Sequence, residues 1–389
     1  MQFRLCREAE YDQVRRLWGE CFGNEEPWTS WYFSKHYQAD HTWVGERDGE
    51  IIAQAHLLPH RLMVRGTWRE AAFLVGVCVS EKMRGRGIGR ELLSSALEEL
   101  RRTGMKINIL QPRWPEFYRQ LGWEFCYDRQ SYKLPVHVAD LLLPDVAGAF
   151  FWEPDLADIS VLSGLYCQFT LSRHGYARRE EKDWEILLAD HRGDSGRVGV
   201  VFRSEVPCAY VLYSMAGDLL RVRELVWTDT AAVDAIWKYL IGLSGPAALE
   251  KLEWLDPAGN PVSLLSSGSH PEPFLMGRMN DMQAILSEID YPAEQAADIR
   301  INVSDPLISS NNGFFRWRIS NGHGRLTPSR QTRTPAISIG IGQLSQLLFG
   351  YRTVQQLLEA GTASVSNVET IALLEQIFPV CRNYISEYF

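Results

Sequence analysis

The sequence predicts an α/β (α+β) chain with mixed sheets, arranged as three successive units at residues 1–140, 141–290 and 291–389. Three observations carry that expectation. An apolar strand, a loop of arginines and glycines, and an amphipathic helix follow one another from Phe73 to Leu100. A second series of strands and one helix repeats this order from Val198 to Leu243, without the basic loop. Near Ala293 the pattern changes again, to alternating strands followed by helical periodicity. With 389 residues the chain also exceeds one core, at roughly 150 residues per domain.

In the first unit, Thr42 to Glu46 and Ile51 to Leu57 read as strands joined through Asp48 and Gly49, an Asp-Gly pair that favours a hairpin turn. Phe73 to Val79 (FLVGVCV) is apolar on both faces, so a covered, central strand is expected. Leu92, Leu93, Ala96, Leu97 and Leu100 then recur at helical spacing, leaving Glu91, Glu98 and Glu99 to solvent. Met105 to Leu110 reads as a strand and Pro115 to Leu121 as a short helix, with Trp123 to Cys126 and Ser131 to Leu134 as closing strands. Pro135 to Phe151 reads as a crossing.

The second unit has strands at Val198 to Arg203, Cys208 to Met215 and Leu220 to Thr228. A helix at Thr230 to Leu243 shows Val233, Ile236, Trp237 and Leu240 on one face. Where the first unit has its basic loop, this one has only ELVWTDTAAV, as expected of a degenerate copy; two unrelated α/β units are the alternative. In the third, Ile299, Ile301 and Val303, then Phe315, Trp317 and Ile319, alternate around a turn at Asn321 and Gly322. Helices are expected at Thr353 to Ala360 and Val368 to Phe378. The aromatic ending NYISEYF predicts a docked tail.

Composition narrows the function. The seven cysteines include no CxxC pair, which argues against a zinc ribbon and a disulfide framework. A net charge of −8 disfavours a nucleic-acid binder and suits a cationic small molecule. MQFRLCREAE lacks the apolar core of a signal peptide, and no apolar run approaches the ~20 residues of a membrane helix, so a cytoplasmic protein without membrane attachment is expected.

The basic loop therefore needs its own reason. Gly85, Gly87 and Gly89 allow close backbone approach to a ligand, and a helix beginning near Arg90 offers unpaired amides and the positive end of its dipole. Arg84, Arg86 and Arg90 add matching charge, so an anion the size of a pyrophosphate is the natural guest. Neither GxxxxGK[ST] nor GxGxxG is present. The pattern that fits is [RQ]xxGx[GA], at Arg84, Gly87 and Gly89, and it closely resembles the pyrophosphate loop of the GNAT superfamily of acetyl-CoA-dependent N-acetyltransferases. Phe117, Tyr118, Leu121, Gly122 and Trp123 resemble that superfamily's later FYxxxG[FW] segment.

The resemblance implies acetyl-CoA as cosubstrate, without a metal, held by Val77, Cys78, Val79, Arg84, Gly85, Arg86, Gly87, Ile88, Gly89 and Arg90. Amides near Val77 to Val79 would polarise the acetyl carbonyl. Tyr118 maps by motif to the tyrosine that protonates the leaving thiolate, although a helix-docking role is its structural alternative.

The three-unit layout resembles Eis-like acetyltransferases, in which a GNAT domain, a GNAT-like domain lacking the cofactor loop and a sterol-carrier-protein-like domain follow in order. That resemblance implies a homo-oligomer, with a hexamer among the forms, and a terminal carboxylate, here at Phe389, acting as general base. The aromatic run around Trp28, Trp31, Tyr32 and His36 could wall an acceptor site or simply pack on the sheet, with Glu25, Glu26 and Glu387 as suitable neighbours for a cationic amine. Gln111 and Trp114 stand where the best-known Eis-type proteins have a histidine-containing strand, and they are expected on the acceptor side. The acceptor implied is aminoglycoside- or polyamine-like. A protein lysine or peptide amine is the second enzyme reading, and a module that binds acyl-CoA or an apolar ligand without turnover is the reading from another class.

Overall fold

Leu92, Leu93, Ala96, Leu97 and Leu100 share one face of a helix because residues three and four apart stack along it, and all five are buried. They belong to a computed structural model that describes every residue except 136–148, 155–157, 244–250, 258–270, 331–334 and 388–389. Most of the expected crossing at Pro135 to Phe151 thus lies outside the described residues. The chain forms two units, one from Met1–Cys126 and Phe274–Cys381, the other from Tyr127–Pro273 and Arg382–Ser386.

The first unit opens with β1 (Gln2–Leu5), α1 (Tyr11–Phe22), α2 (Trp28–Lys35), β2 (Thr42–Arg47), β3 (Glu50–Val64), β4 (Thr67–Val79), α3 (Ile88–Arg102), β5 (Ile107–Leu110) and α4 (Pro115–Arg119). Strands β1 to β4 are antiparallel neighbours, and β5 lies parallel to β4. The expected Asp-Gly hairpin is present, with Asp48 at φ 56° and Gly49 at φ 84°. As the two-sided apolar pattern requires, β4 is covered on both faces. The α3 leucines pack on Ala53, Ala55, Leu57, Ala72 and Leu74. On the other face Val14, Leu17, Trp18, Tyr32 and Phe33 pack with Val44, Ile51 and Cys78. Each large side chain so buried contributes roughly 1.5–3 kcal/mol.

The second unit takes up β6 (Glu124–Pro135) from Tyr127 onward and adds β7 (Ala149–Trp152), α5 (Ile159–Thr170), α6 (Glu181–Gly193), β8 (Gly196–Arg203), β9 (Val206–Ala216), β10 (Leu219–Trp227), α7 (Thr230–Gly242) and β11 (Lys251–Pro257). Here β7 to β10 are antiparallel and β11 lies parallel to β10, repeating the arrangement of the first unit. The copies exchange their closing strands. Residues 129–135 of β6, expected to close the first sheet, pair with β11 in the second unit. The first sheet is closed by β12 (Pro271–Met279), whose Met276–Met279 pair with β5.

The remainder of the first unit is α8 (Met282–Glu288), β13 (Ala297–Ser304), β14 (Gly313–Ser320), β15 (His323–Pro328), β16 (Ile337–Gly340), α9 (Ile341–Phe349), α10 (Val354–Glu359), β17 (Ala363–Val365) and α11 (Val368–Ile377). Its five strands run in the order β15-β14-β13-β16-β17. The alternating residues Ile299, Ile301, Val303, Phe315, Trp317 and Ile319 are all buried.

The tail docks in the second unit. The His174 amide donates to the Arg382 carbonyl and the Tyr384 amide to the His174 carbonyl, each at 2.9 Å, and Tyr384 and Ile385 are buried. Ser386 and Tyr210 donate to the Glu224 carboxylate, which also takes two bonds from Arg179 at 2.8 and 2.6 Å. Burial alone would raise the Glu224 carboxyl, but Arg179 outweighs it and holds the group down at about 2.

Candidate functional site

The register of β4 with β5 runs from Ala71↔Ile107 to Leu74↔Leu110 and stops there. Val75 to Val79 continue past the end of that pairing, held on the other side by β3 through Val75↔His56, Cys78↔Gln54 and Val79↔Ala53. A bulge at Gly76 lies over the Trp18 ring, which leaves no room there for a side chain. The segment expected to polarise an acetyl carbonyl is therefore a strand end beside an open splay.

The turn after it ends at Gly87, with φ 80°, which caps α3 without any side-chain hydrogen bond. Gly85 has φ 76°, and a carbon added at either glycine would meet no protein atom within 4 Å. The amides of Gly85, Arg86 and Gly87 make no hydrogen bond to any described residue. Unpaired donors at the positive end of a four-turn helix, in a loop open to solvent, suit an anion.

The three arginines divide their work. Arg84 Nε donates to the Val79 carbonyl at 3.2 Å and Nη2 points to Cys21 Sγ at 3.7 Å, so this side chain braces the strand end. Arg90 donates to the Pro306 carbonyl at 2.6 Å. Arg86 is exposed and makes no hydrogen bond to a described residue, which leaves its guanidinium for a ligand. Ile88 is buried under the helix, while Gly89 approaches Phe117, whose Cζ would lie 3.3 Å from an added carbon.

Tyr118 stands on α4, whose start is set by Pro115 at its first position. It is 9% exposed, with Phe117 edge-on at 5.1 Å and Trp123 at 6.0 Å between centroids. Burial raises its phenol well above the ordinary range, so the proton stays on oxygen at neutral pH. The hydroxyl makes no hydrogen bond to a described residue.

The acceptor-side candidates separate. Trp28 is partly exposed and stacks on Tyr32 at 5.6 Å, Trp31 is half-buried, and Gln111 and Trp114 are exposed. Tyr32 is fully buried and shares a 2.7 Å hydrogen bond with His56 Nδ1. Glu25 and Glu26 are exposed, and Glu26 pairs with Arg15. Glu387 is half-buried, and Phe389 lies outside the described residues.

Sequence reasoning did not single out Gln54 and His56, two fully buried polar residues on the β3 face beneath α1 and α2. Burial lowers His56 to about 3, which keeps it neutral. Both amide atoms of Gln54, His56 Nε2, Trp18 Nε1 and Thr29 Oγ1 are buried without a partner among the described residues. Buried polar groups are ordinarily satisfied by protein, water or ligand. Polar residues at inward strand positions were the available signal.

Comparison with known proteins agrees with this geometry. Residues 2–126 and 175–279 each match a model described as an acetyltransferase (GNAT) domain, and residues 282–386 match a sterol carrier protein domain. Similar solved structures include a GCN5-related N-acetyltransferase from Anabaena variabilis (19% identity, TM-score 0.85), another from Kribbella flavida (22%, 0.80) and Eis1 from Mycobacterium abscessus (20%, 0.79), each alignment covering 100% of both chains. No curated protein matches the chain significantly. The loop fits the diphosphate of a coenzyme A thioester, because the amides of Gly85 to Gly87 and the Arg86 guanidinium make no hydrogen bond to a described residue and the glycines are open to close approach. Two GNAT acetyltransferase domains thus precede a sterol carrier protein domain in this chain, and its fold is similar to that of Eis1.

Proposed function

We propose that the protein transfers an acetyl group from acetyl-CoA to a primary amine of a small, cationic acceptor, aminoglycoside- or polyamine-like in chemistry. The observation that carries this reading is the uncapped N-terminus of α3 following the splayed end of β4, with the protonated Tyr118 in the same domain. When bound, acetyl-CoA supplies an activated thioester. The amides of Gly85 to Gly87 and the Arg86 guanidinium hold its diphosphate. The free end of β4 at Val77 to Val79 donates to the carbonyl oxygen, where charge develops during attack. Tyr118 gives its proton to the departing sulfur.

On the acceptor side, Trp28 and Trp31 offer aromatic faces to a cationic substrate. The amine must lose a proton, and the terminal carboxylate of Phe389 is the base in this reading. Moving that carboxylate by a two-residue extension should lower kcat sharply while acetyl-CoA binding survives; unchanged turnover removes Phe389 from the mechanism.

Thiol release from acetyl-CoA against aminoglycosides, polyamines, arylalkylamines and a lysine peptide tests the whole reading, with the natural C-terminus untagged. Turnover confined to the small cationic amines is expected. Turnover with the peptide alone overturns the acceptor class, and silence across the panel with intact acetyl-CoA binding favours a binding module.

A further inference from the structure

The second domain repeats the first on the face that carries α1 and α2. Strand β4 pairs with β5 as far as Leu74 and then gains one residue on β3, between Val75 and Cys78. Strand β10 pairs with β11 as far as Val222 and then gains one residue on β9, between Val222 and Glu224. Helix α1 packs on β3 and β4, and α5 packs on β9 and β10. In the first domain the bulged strand end lies beneath α1 and α2, with the Trp18 ring over Gly76. In the second, the corresponding place holds the chain's own tail.

The contacts there are directional. Asn383 bridges to His174, in the loop between α5 and α6, and its Oδ1 lies 2.7 Å from His174 Nδ1. The Tyr384 ring stands edge-on to Phe169 of α5, with 5.1 Å between centroids. The Ser386 hydroxyl accepts from Arg179 Nη2 at 2.7 Å and donates to Glu224. It thereby closes the ion pair that these two side chains form at the bulge, where neither is more than 5% exposed. A buried ion pair is a weak source of stability, and here each partner gives one hydrogen bond to the tail.

We propose that the bulged strand end of the second domain is a socket for the C-terminal segment, and that Arg179 and Glu224 are positioning residues that act by fixing Ser386. Three residues remain after Ser386, and three extended residues span at most about 11 Å. The socket therefore limits where the terminal carboxylate can reach. Its effect on turnover rests on the reading above, in which the Phe389 carboxylate is the base; the docking of the tail does not. On that reading one copy takes the acceptor, and the other, at the same place in the fold, takes the segment that bears the base.

The test measures hydrogen exchange in the tail together with steady-state kinetics, in the full chain. Ser386→Asp sets a second carboxylate against Glu224 and should expel the tail; Ser386→Ala, which removes both bonds, should act in the same direction more weakly. The Tyr384 amide, which donates to the His174 carbonyl, should exchange at least about tenfold faster in Ser386→Asp, while β9 and β10 exchange as before. The kcat should fall about tenfold at unchanged acetyl-CoA KM, as expected when a base is no longer held in place. Ser386→Thr keeps the hydroxyl and should retain most of the turnover. Glu224→Gln should match Ser386→Ala, and the Ser386 variants decide the question if that variant folds poorly. Native exchange at Tyr384 in both Ser386→Asp and Ser386→Ala overturns the socket. Faster exchange throughout β9 and β10 makes Ser386 merely structural and overturns the positioning role. So does a released tail with native kcat, if a two-residue extension beyond Phe389 still lowers kcat. If the released tail and the extension both leave kcat unchanged, the socket stands and the terminal carboxylate is not the base.

Discussion

The two GNAT domains build the same crossover and finish it differently. In both, an antiparallel series ends in a strand that pairs in parallel with the strand after its helix, β4 with β5 and β10 with β11. The first domain leaves its helix uncapped behind Gly87. The second places Asp229 before α7, where Oδ1 accepts from the Ala232 amide at 3.0 Å and the carboxylate pairs with Arg203. One copy leaves its helix-end donors open, as an anion site would need; the other has supplied a carboxylate of its own. The scaffold thus survives without the ligand site, because strand pairing and the leucine face do not depend on what meets the first turn of the helix.

The strongest break in this comparison is Gly87→Val. A side chain there meets no protein atom, but it forces a β-branched residue to φ 80° and projects into the space the diphosphate would enter. Losing two or three charge-assisted bonds at about 1.5–3 kcal/mol each should lower kcat/KM for acetyl-CoA about 10³-fold, with backbone strain adding only ~1–3 kcal/mol to the folding cost. A variant with native kinetics would show that the loop is not the anion site. Tyr118→Phe should come next, lowering kcat by about 10²-fold at unchanged acetyl-CoA KM. The phenol is held protonated by burial, so kcat in the unaltered chain should show no loss from its ionisation up to pH 10. Arg86→Ala should raise the acetyl-CoA KM about tenfold, since one guanidinium contact is removed, and added salt should shrink that difference because Arg86 is exposed.

What was legible follows from locality. The Asp48-Gly49 hairpin, the α3 leucine face and the alternation at Ile299 to Ile319 are written in residues a few positions apart, and each is present. Helix α1 was not expected, because its buried face needs only Val14, Leu17 and Trp18 between charged neighbours. The β3–β4 hairpin turns at Arg65 and Gly66, with φ 52° and 73°, and arginine is a poor signal for a left-handed turn. The exchange of β6 and β12 joins strands far apart in sequence, which no local pattern specifies. At the candidate site the motif pointed to the loop, but it could not tell that Arg84 and Arg90 are committed to carbonyls while Arg86 is not.

The smallest expected effect sharpens the comparison most, because it is one of stability alone. Asp229→Ala removes the cap of α7, worth about 1 kcal/mol, and a half-exposed ion pair with Arg203 worth at most about 1 kcal/mol more. Thermal or denaturant unfolding at pH 7 should register that loss, while kcat and the acetyl-CoA KM stay unchanged. The hydrogen bonds from Arg203, then those from the backbone, hold the Asp229 carboxyl below its ordinary value. A depressed carboxylate stabilises the fold above its unfolded pKa of about 3.9 and loses that contribution as pH falls through the lower folded value. The difference between the unaltered chain and Asp229→Ala should therefore be full at neutral pH and shrink below about pH 4. A change in acetyl-CoA kinetics would instead mean that the second helix end still serves the cosubstrate, and that its carboxylate is more than a substitute for a lost anion.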